Sequence, residues 1–458
     1  MPGLSMPITV DRDCGTPIHR QIAGQLTELV ERGVLGAGTR LPSTRTLAAS
    51  FGVSRGVVVA AYDLLFAAGV LRGRRGAGSY VQDLPSERRT AAPMPSGPTR
   101  LDLRPGQSSL ARFPREAWRA AWRAAGHAMP HPTPPLGLPR LRQALTDYLE
   151  RSRGLPMARH EVVVTSGPSQ SAELLVRAVC RTGDTIAVED PAPWPLRAFA
   201  GALGSMVRPV PVWPDGLWLD LPAEARLVFT SPDGHDLLGT RMPLWRRRAL
   251  LDWSRATEAV LVELGQEVPE AQDPAPSLVR LGGPAPVAHI GSLRSLFGSA
   301  LPLGYLVVPR RFAPRLETVL TETAARPAPV PQEAAAELLQ RGAVQRYRTR
   351  LSEVHADRLA TVRAGLAEAP VEVRGSVSSG NATVLLPPGI PASAVTDRLR
   401  PKLVLDAVSF LGGEGLALGY AHLDEEALRA AISLLARTIS ELAPAVGKPH
   451  RVSPRAAG

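Results

Sequence analysis

The apolar positions at the start of the chain follow the period of an α-helix. Within residues 17–35, one helical face would carry Ile18, Ile22, Leu26 and Leu29. Ser43 can cap a second helix, and Ser54 can cap a third after the tight turn at Gly52. Residues 70–81 then read as two short strands around a glycine-containing tip. This order of elements predicts a winged helix-turn-helix over residues 8–82.

From residue 101 onward, helical segments alternate with short β-branched runs. The runs are Val162-Val163-Val164-Thr165, Thr185-Ile186-Ala187-Val188, Leu227-Val228-Phe229-Thr230 and Ala259-Val260-Leu261-Val262. Buried runs separated by helices indicate βαβ units and a mostly parallel sheet. The predicted fold class is therefore multidomain, with an N-terminal α+β winged helix-turn-helix and a C-terminal α/β domain over residues 101–442.

Two segments lack apolar periodicity. Residues 83–100 are rich in proline, serine and alanine, so they are interpreted as a linker. Residues 443–458 are rich in proline, glycine, alanine and arginine, and we expect a disordered tail there.

The overall charge favours a polyanionic partner. The 458 residues carry a net charge of +11 and a sequence pI of about 10.6. Because nearly all the basic residues are arginine, a general preference for arginine would explain the charge equally well. The local balance is more specific, since six arginines and one acid, Asp63, lie between Arg40 and Arg75. We expect these positive charges to bind double-stranded DNA. The third helix would lie in the major groove, and the arginines of the wing would contact phosphates.

Other patterns exclude whole classes of protein. The two cysteines, Cys14 and Cys180, lie in different predicted domains and indicate reduced thiols. Residues 1–7 show no signal-peptide pattern, and no uncharged apolar run is long enough to span a bilayer. No spaced Cys/His cluster suggests a metal. We therefore expect a cytoplasmic, nucleoid-associated protein without a membrane partner.

The first domain closely resembles the GntR family of regulators. The resemblance rests on residues 17–21, on Gly38-Thr39-Arg40-Leu41-Pro42-Ser43-Thr44-Arg45, on Gly52-Val53-Ser54-Arg55, on Ala61-Tyr62 and on residues 76–81. It implies that Arg45 and Arg55 contact DNA, with Ser54 and Tyr62 near the DNA backbone and Gly78 at the wing. Together with the wing arginines Arg74 and Arg75, these are the predicted DNA-binding residues. One departure is Gly56-Val57, where the family usually has a polar residue and threonine, so a hydrogen bond to DNA is expected to be lost. The alternative is that these arginines form a solvated face without a partner.

The rest of the chain resembles the aminotransferase-like domain of MocR-type regulators, a GntR subfamily with a fold-type-I aminotransferase domain. The resemblance rests on stretches such as Leu103-Arg104-Pro105-Gly106, Gly137-Leu138-Pro139-Arg140-Leu141-Arg142, Thr165-Ser166-Gly167 and Glu189-Asp190-Pro191. It implies a pyridoxal-phosphate site, but the aligned positions have lost its chemistry.

Five positions of that site are degenerate. Ser295 stands where the family has the cofactor lysine, and a hydroxyl cannot form a Schiff base. Leu264 replaces the acid on the pyridine nitrogen, and Gln266 replaces the tyrosine on the ring oxygen. Pro302 replaces the phosphate arginine and Ala417 the arginine for the substrate carboxylate. Glu263 could substitute for the acid after a register shift, but it cannot supply the amine. We therefore expect no pyridoxal phosphate, no catalytic residues and no transaminase activity.

Some polar groups remain near the former cofactor. A candidate effector pocket would comprise Ser169, Gln170, Trp194, His235 and Arg294. For each residue taken singly, the pattern slightly favours a solvated loop residue or a core cap. The leading hypothesis is a homodimeric transcriptional regulator that responds to an unknown small molecule. The alternatives are a divergent working aminotransferase with a DNA-binding appendage, and a scaffold whose large domain only dimerises.

Overall fold

The computed structural model describes residues 8–11, 14–31, 34–36, 38–74, 78–82, 100–128, 132–192, 196–213, 215–269, 275–410 and 413–443. The chain forms two compact units, Met1–Gly97 and Pro98–Gly458. Most of the predicted linker and of the predicted tail, and with them Arg75 and Trp194, lie outside the described residues.

The first unit contains three helices and a hairpin. Its elements are α1 (Ile18–Glu31), α2 (Thr44–Phe51), α3 (Arg55–Ala67), β1 (Leu71–Arg74) and β2 (Gly78–Val81). The Ser43 hydroxyl accepts a hydrogen bond from the Thr46 amide, which confirms the predicted cap of α2. Gly52 ends this helix with φ at 60°, a conformation that glycine adopts without strain. Ser54 occupies the N-cap position of α3, but its side chain makes no capping hydrogen bond, contrary to the prediction.

Apolar faces of the three helices close a small core. Ile22 and Leu26 of α1 pack with Val58 and Leu65 of α3 and with Val81 of the hairpin, and all five are buried. The burial of a face with helical spacing explains why these segments fold as helices, since burial stabilises by about 25 cal/mol per Å² of apolar surface. The core thereby holds α2 and α3 as a helix-turn-helix beside the wing β1–β2.

The second unit begins with β3 (Leu101–Asp102) and is built around an eight-stranded sheet. The sheet strands are β4 (His160–Thr165), β5 (Thr185–Asp190), β6 (Met206–Trp213), β7 (Gly216–Leu217), β8 (Ala225–Thr230), β9 (Val260–Leu264), β10 (Val287–Ser292) and β11 (Gly304–Pro309). Their order in the sheet is β4-β11-β10-β9-β8-β5-β6-β7. Strands β10, β9, β8, β5 and β6 are parallel, while β11 and β7 run antiparallel to their neighbours. This confirms the predicted mostly parallel sheet, which includes all four β-branched runs.

Helices cover both faces of this sheet. They are α4 (Arg115–His127), α5 (Pro139–Arg153), α6 (Pro168–Val179), α7 (Leu196–Ala202), α8 (Leu244–Thr257), α9 (Leu278–Gly282), α10 (Arg294–Phe297), α11 (Ala313–Thr323), α12 (Pro329–Gln340) and α13 (Ala343–Gly365). In β8, Val228 packs into the core that contains α5 and α12, whereas Leu227 and Phe229 pack into the core that contains α6 and α11. Burial on both faces explains why the strands are continuously apolar.

A smaller layer follows the main sheet along the chain. It comprises β12 (Glu372–Ser376), β13 (Asn381–Leu385), α14 (Ala392–Leu399), β14 (Leu403–Val404), β15 (Asp406–Phe410), β16 (Gly413–Gly419) and α15 (Glu425–Leu442). Strands β12-β13-β16-β15 form an antiparallel sheet, and β14 pairs with β3. A third core, with Leu359, Leu399 and Leu435, packs the end of α13, α14 and α15 together.

Within the described residues, no single helix is long and apolar enough to cross a membrane, and the bent pair α2 and α3 passes that test by length and composition only. In the same part of the chain, no group of three or more histidine, cysteine, aspartate or glutamate side chains could hold a metal ion.

Candidate functional sites

The N-termini of α2 and α3 come together in the first unit. Arg45 is the second residue of α2 and Arg55 the first residue of α3, and both are exposed. The Arg55 Nε donates a hydrogen bond of 3.4 Å to the Thr44 hydroxyl, which links the two helix starts. The unbonded amides at helix N-termini favour anions, so the two arginines and the two helix ends present a surface suited to phosphate and base edges. Sequence reasoning overlooked Thr44, although it lies beside Arg45.

One arginine outside the hairpin, Arg40, lies against the wing. Arg40 is exposed and pairs with Tyr80 through its backbone. Gly78 begins β2 with φ at 106°, and a Cβ at this position would lie 3.3 Å from the Arg40 Nε. Glycine therefore allows Arg40 to lie against the wing. The backbone of Arg74 pairs with Gly78 in the hairpin, as predicted for a wing residue.

Tyr62 differs from the prediction that it lies near the DNA backbone. Its side chain is 3% exposed, and its hydroxyl donates a 2.8 Å hydrogen bond to the Pro42 carbonyl oxygen. Burial raises its pKa to about 12. A hydroxyl held in this way joins α3 to the segment before α2, so Tyr62 positions the helix-turn-helix from inside. Ser54 is exposed beside Arg55, as the prediction requires.

In the second unit, four of the five degenerate positions are occupied by packed or locally bonded side chains. The Ser295 hydroxyl donates a 2.6 Å hydrogen bond to the Ser292 carbonyl oxygen. Leu264 is 5% exposed and belongs to the apolar core on the α6 face of the sheet. Gln266 donates through Nε2 to the Gly234 carbonyl oxygen. Ala417 is buried on β16 between Thr383 and Asp406, and Pro302 is exposed.

Glu263 is committed to the protein core. One carboxylate oxygen accepts the Leu278 amide at 3.1 Å, and the other lies 3.3 Å from the His289 Nδ1. Burial alone would raise the pKa of Glu263, but the hydrogen bond and charge of His289 outweigh burial and hold the pKa below its ordinary value. A carboxylate engaged in this way ties β9 to α9 and β10, which disfavours the register shift considered above.

A second buried carboxylate, Glu267, organises the loop after β9. It accepts hydrogen bonds from Tyr305 at 2.6 Å, from Tyr148 at 3.0 Å and from the Ser292 amide at 3.2 Å. Burial would raise its pKa, but the charges of Arg153 and Arg348 outweigh burial and lower it. Sequence reasoning missed this network, because each of its members lies more than 20 residues from Glu267.

The members of the candidate effector pocket have different surroundings. His235 is buried, with Nε2 at 2.9 Å from the Pro191 carbonyl oxygen and Nδ1 accepting the Leu237 and Leu238 amides. Gln170 accepts the Ser166 amide and donates to the Ala325 carbonyl oxygen. These bonds hold the loops and leave neither side chain free for a ligand. Ser169 is exposed, and Arg294 lines a separate cavity of about 570 Å³ with Phe113 and Trp118. Trp194 lies outside the described residues.

Comparisons with known proteins agree with both units. Residues 18–81 match the family model of bacterial regulatory proteins, gntR family, and residues 102–227 match that of aminotransferase class I and II. The chain is 32% identical over 451 residues to the HTH-type pyridoxine biosynthesis transcriptional regulator PdxR of Corynebacterium glutamicum, covering 95% of this chain and 99% of that protein. It is 29% identical over 381 residues to the probable rhizopine catabolism regulatory protein MocR of Rhizobium meliloti, covering 77% of each chain.

The fold of the second unit has solved counterparts. The multiple substrate aminotransferase from Thermococcus profundus superposes with a TM-score of 0.69 at 20% identity, covering 75% of this chain and 92% of that enzyme. At this identity the likeness concerns the fold alone. Near full-length similarity to regulators, together with the helix-turn-helix, decides the family. The chain belongs to the GntR family of DNA-binding transcriptional regulators, in the MocR-type group that joins a winged helix-turn-helix to an aminotransferase-like domain.

Proposed function

We propose, first, that this regulator recognises its operator through Arg45 and Arg55. We propose, second, that its aminotransferase-like unit has lost pyridoxal-phosphate chemistry and serves dimerisation and the binding of a different small effector. The observation that carries the first part is the hydrogen bond from Arg55 to Thr44 between two exposed helix starts. The observation that carries the second part is the absence of an amine at Ser295.

The exposed arginines support operator recognition, because guanidinium groups suit the base edges and the phosphates of DNA. A guanidinium group can donate two hydrogen bonds to the major-groove edge of guanine, and each such contact contributes about 1–3 kcal/mol of discrimination. Arg40 and Arg72, also exposed, are suited to phosphate contacts near the wing.

Operator binding is tested by fluorescence anisotropy on fragments selected from genomic DNA of the host. Arg55→Ala should weaken operator binding by about 1–3 kcal/mol and relax specificity at one base position. Arg45→Ala should weaken operator binding in the same way if Arg45 contacts a base. If Arg45 contacts a phosphate, the variant should reduce the slope of log affinity against log salt concentration by about one. Arg20→Ala removes an exposed arginine from α1 and serves as the charge-matched control. Unchanged operator affinity in both Arg45→Ala and Arg55→Ala would refute the assignment.

The side chains at the degenerate positions do not fit pyridoxal phosphate. The group needs an amine, an acid on its ring nitrogen and a cation on its phosphate. Ser295, Leu264 and Pro302 supply none of them, and burying a phosphate without a paired cation is costly. The chain contains two lysines, of which Lys402 is exposed at the start of β14 and Lys448 lies outside the described residues.

The loss is tested by mixing the protein with pyridoxal phosphate, reducing with borohydride and mapping any labelled peptide. We expect no stoichiometric label and no amino-acid turnover. Ser295→Lys should not restore turnover, because Leu264, Pro302 and Ala417 remain. A stoichiometric adduct on Lys402 or another residue, accompanied by turnover, would identify the chain as a divergent enzyme.

Dimerisation is proposed from the resemblance to fold-type-I domains, which form their active sites between two subunits, and from the need for two reading heads at a palindromic or repeated operator. Light scattering should give a mass near twice 48.7 kDa at micromolar concentration. A monomeric mass would contradict this part of the proposal and leave operator binding open.

A further inference from the structure

A strongly cationic cavity lies where α5 ends, next to the loop that follows β9. Its volume is about 400 Å³, within the range of small-molecule sites. We call it the arginine cavity, and its charged lining residues are Arg151, Arg153, Asp233, Arg241, Arg280 and Arg348. Five guanidinium groups against one carboxylate is an unusual lining, because most ligand pockets are predominantly apolar.

The rim of the cavity depends on the glycine that ends α5. Gly154 has φ at 61°, and a Cβ there would lie 3.3 Å from the Arg280 Nη1. Glycine therefore both terminates the helix and allows Arg280 to lie over its end. No hydrogen bond or ion pair joins the Arg280 or Arg241 guanidinium to another residue in the described ranges.

The inner wall holds guanidinium groups that share their carboxylate partners. Asp233 lies 2.8 Å from the fully buried Arg247 and 3.8 Å from Arg153, and Glu267 is the other carboxylate beside Arg153 and Arg348. Asp233 and Glu267 are thus each shared by two guanidinium groups. Arg153 is only 9% exposed, and its Nε has no acceptor among the described residues. A buried donor of this kind is costly to leave unpaired, which favours an anion in the cavity.

We propose that the arginine cavity binds a small metabolite that carries at least two negative charges on phosphate or carboxylate groups, and that this anion is the effector of the regulator. The effector role rests on the proposed function, whereas anion binding stands on the cavity alone. Planar guanidinium groups bind both phosphate and carboxylate groups through paired hydrogen bonds. The volume and charge of the cavity therefore define the ligand as a small anionic metabolite, and the two probes below distinguish a phosphate from a carboxylate.

The test is isothermal titration of the full chain with pyrophosphate and with citrate at constant ionic strength, with glycerol as the uncharged control. We expect saturable binding of at least one anion. Arg241→Gln and Arg280→Gln should each weaken that binding about tenfold or more, since each removes charge-assisted hydrogen bonds. Neither guanidinium group forms a hydrogen bond or ion pair with another described residue, so these variants should fold normally. Arg294→Gln, in the separate 570 Å³ cavity, is the matched control and should bind as the wild type does.

Operator affinity measured in the same samples distinguishes the two levels of the proposal. An anion that changes operator affinity in the wild type but not in Arg280→Gln supports the effector role. Anion binding that leaves operator affinity unchanged supports the arginine cavity as an anion site and refutes the effector role. The anion site is refuted if neither anion binds saturably at millimolar concentration, or if Arg294→Gln alone abolishes binding. Neither result bears on operator recognition, which the Arg45 and Arg55 variants test.

Discussion

Replacing Glu267 with glutamine should strongly destabilise the second unit. The substitution keeps the shape of the side chain and removes its charge. Glu267 accepts three hydrogen bonds and lies beside the buried Arg153 and Arg348. In the variant, the hydrogen bond from Tyr305 or from Tyr148 must be rearranged around a donating amide, and both arginines lose their shared counter-charge.

The size of the effect follows from these contacts. Removing one partner of a directly bonded buried ion pair costs about 3–5 kcal/mol. Glu267 acts on Arg153 and Arg348 through its charge, and glutamine keeps part of the hydrogen bonding, so the cost should lie near the lower value, about 3 kcal/mol. A unit of about 360 residues unfolds with an entropy of roughly 0.75 kcal/mol/K, so the melting temperature should fall by about 4 °C.

Differential scanning calorimetry of the full chain checks this. Glu372→Gln is the matched control, because Glu372 is 62% exposed in its ion pair with Arg374 and should contribute less than about 1 kcal/mol. Equal melting temperatures for Glu267→Gln and Glu372→Gln would refute the view that Glu267 balances the buried arginines.

Two further predictions concern single positions. Gly56→Ala should stabilise the first unit by about 0.5–1 kcal/mol in chemical denaturation, because Gly56 lies in α3 and its Cβ position meets only the Ser54 Oγ, at an ordinary contact distance of 3.8 Å. Gly52→Ala should destabilise the unit, because φ there is 60°. Asp236 is partly buried, and burial raises its pKa to about 6. The folded protein therefore holds this proton more tightly than the unfolded chain, and the wild type loses stability as the pH rises from about 4 to about 6. Asp236→Asn should be more stable at pH 7 by about 2–3 kcal/mol, with the difference disappearing near pH 4 in melting curves; a difference that is independent of pH would contradict the burial argument.

Local patterns were sufficient for the fold of both units. Side-chain periodicity determines the helical faces around Ile22 and Val58 and the strand from Val162 to Thr165. It is visible in the sequence because it depends only on residues that are close together along the chain. The loss of the amine at Ser295 was likewise readable from one aligned segment, because the chemistry depends on a single residue type.

Tertiary structure decided which polar side chains are available. Tyr62 and His235 are polar in the sequence, but packing engages them with the Pro42 and Pro191 carbonyl oxygens, which lie 20 and 44 residues away. The arginine cavity was also invisible in the sequence, because Arg153, Arg280 and Arg348 meet only when α5, α9 and α13 pack around the loop after β9. Charge in a sequence states which residues can bind an anion, whereas burial and the distance to each carboxylate determine which of them remain free to do so.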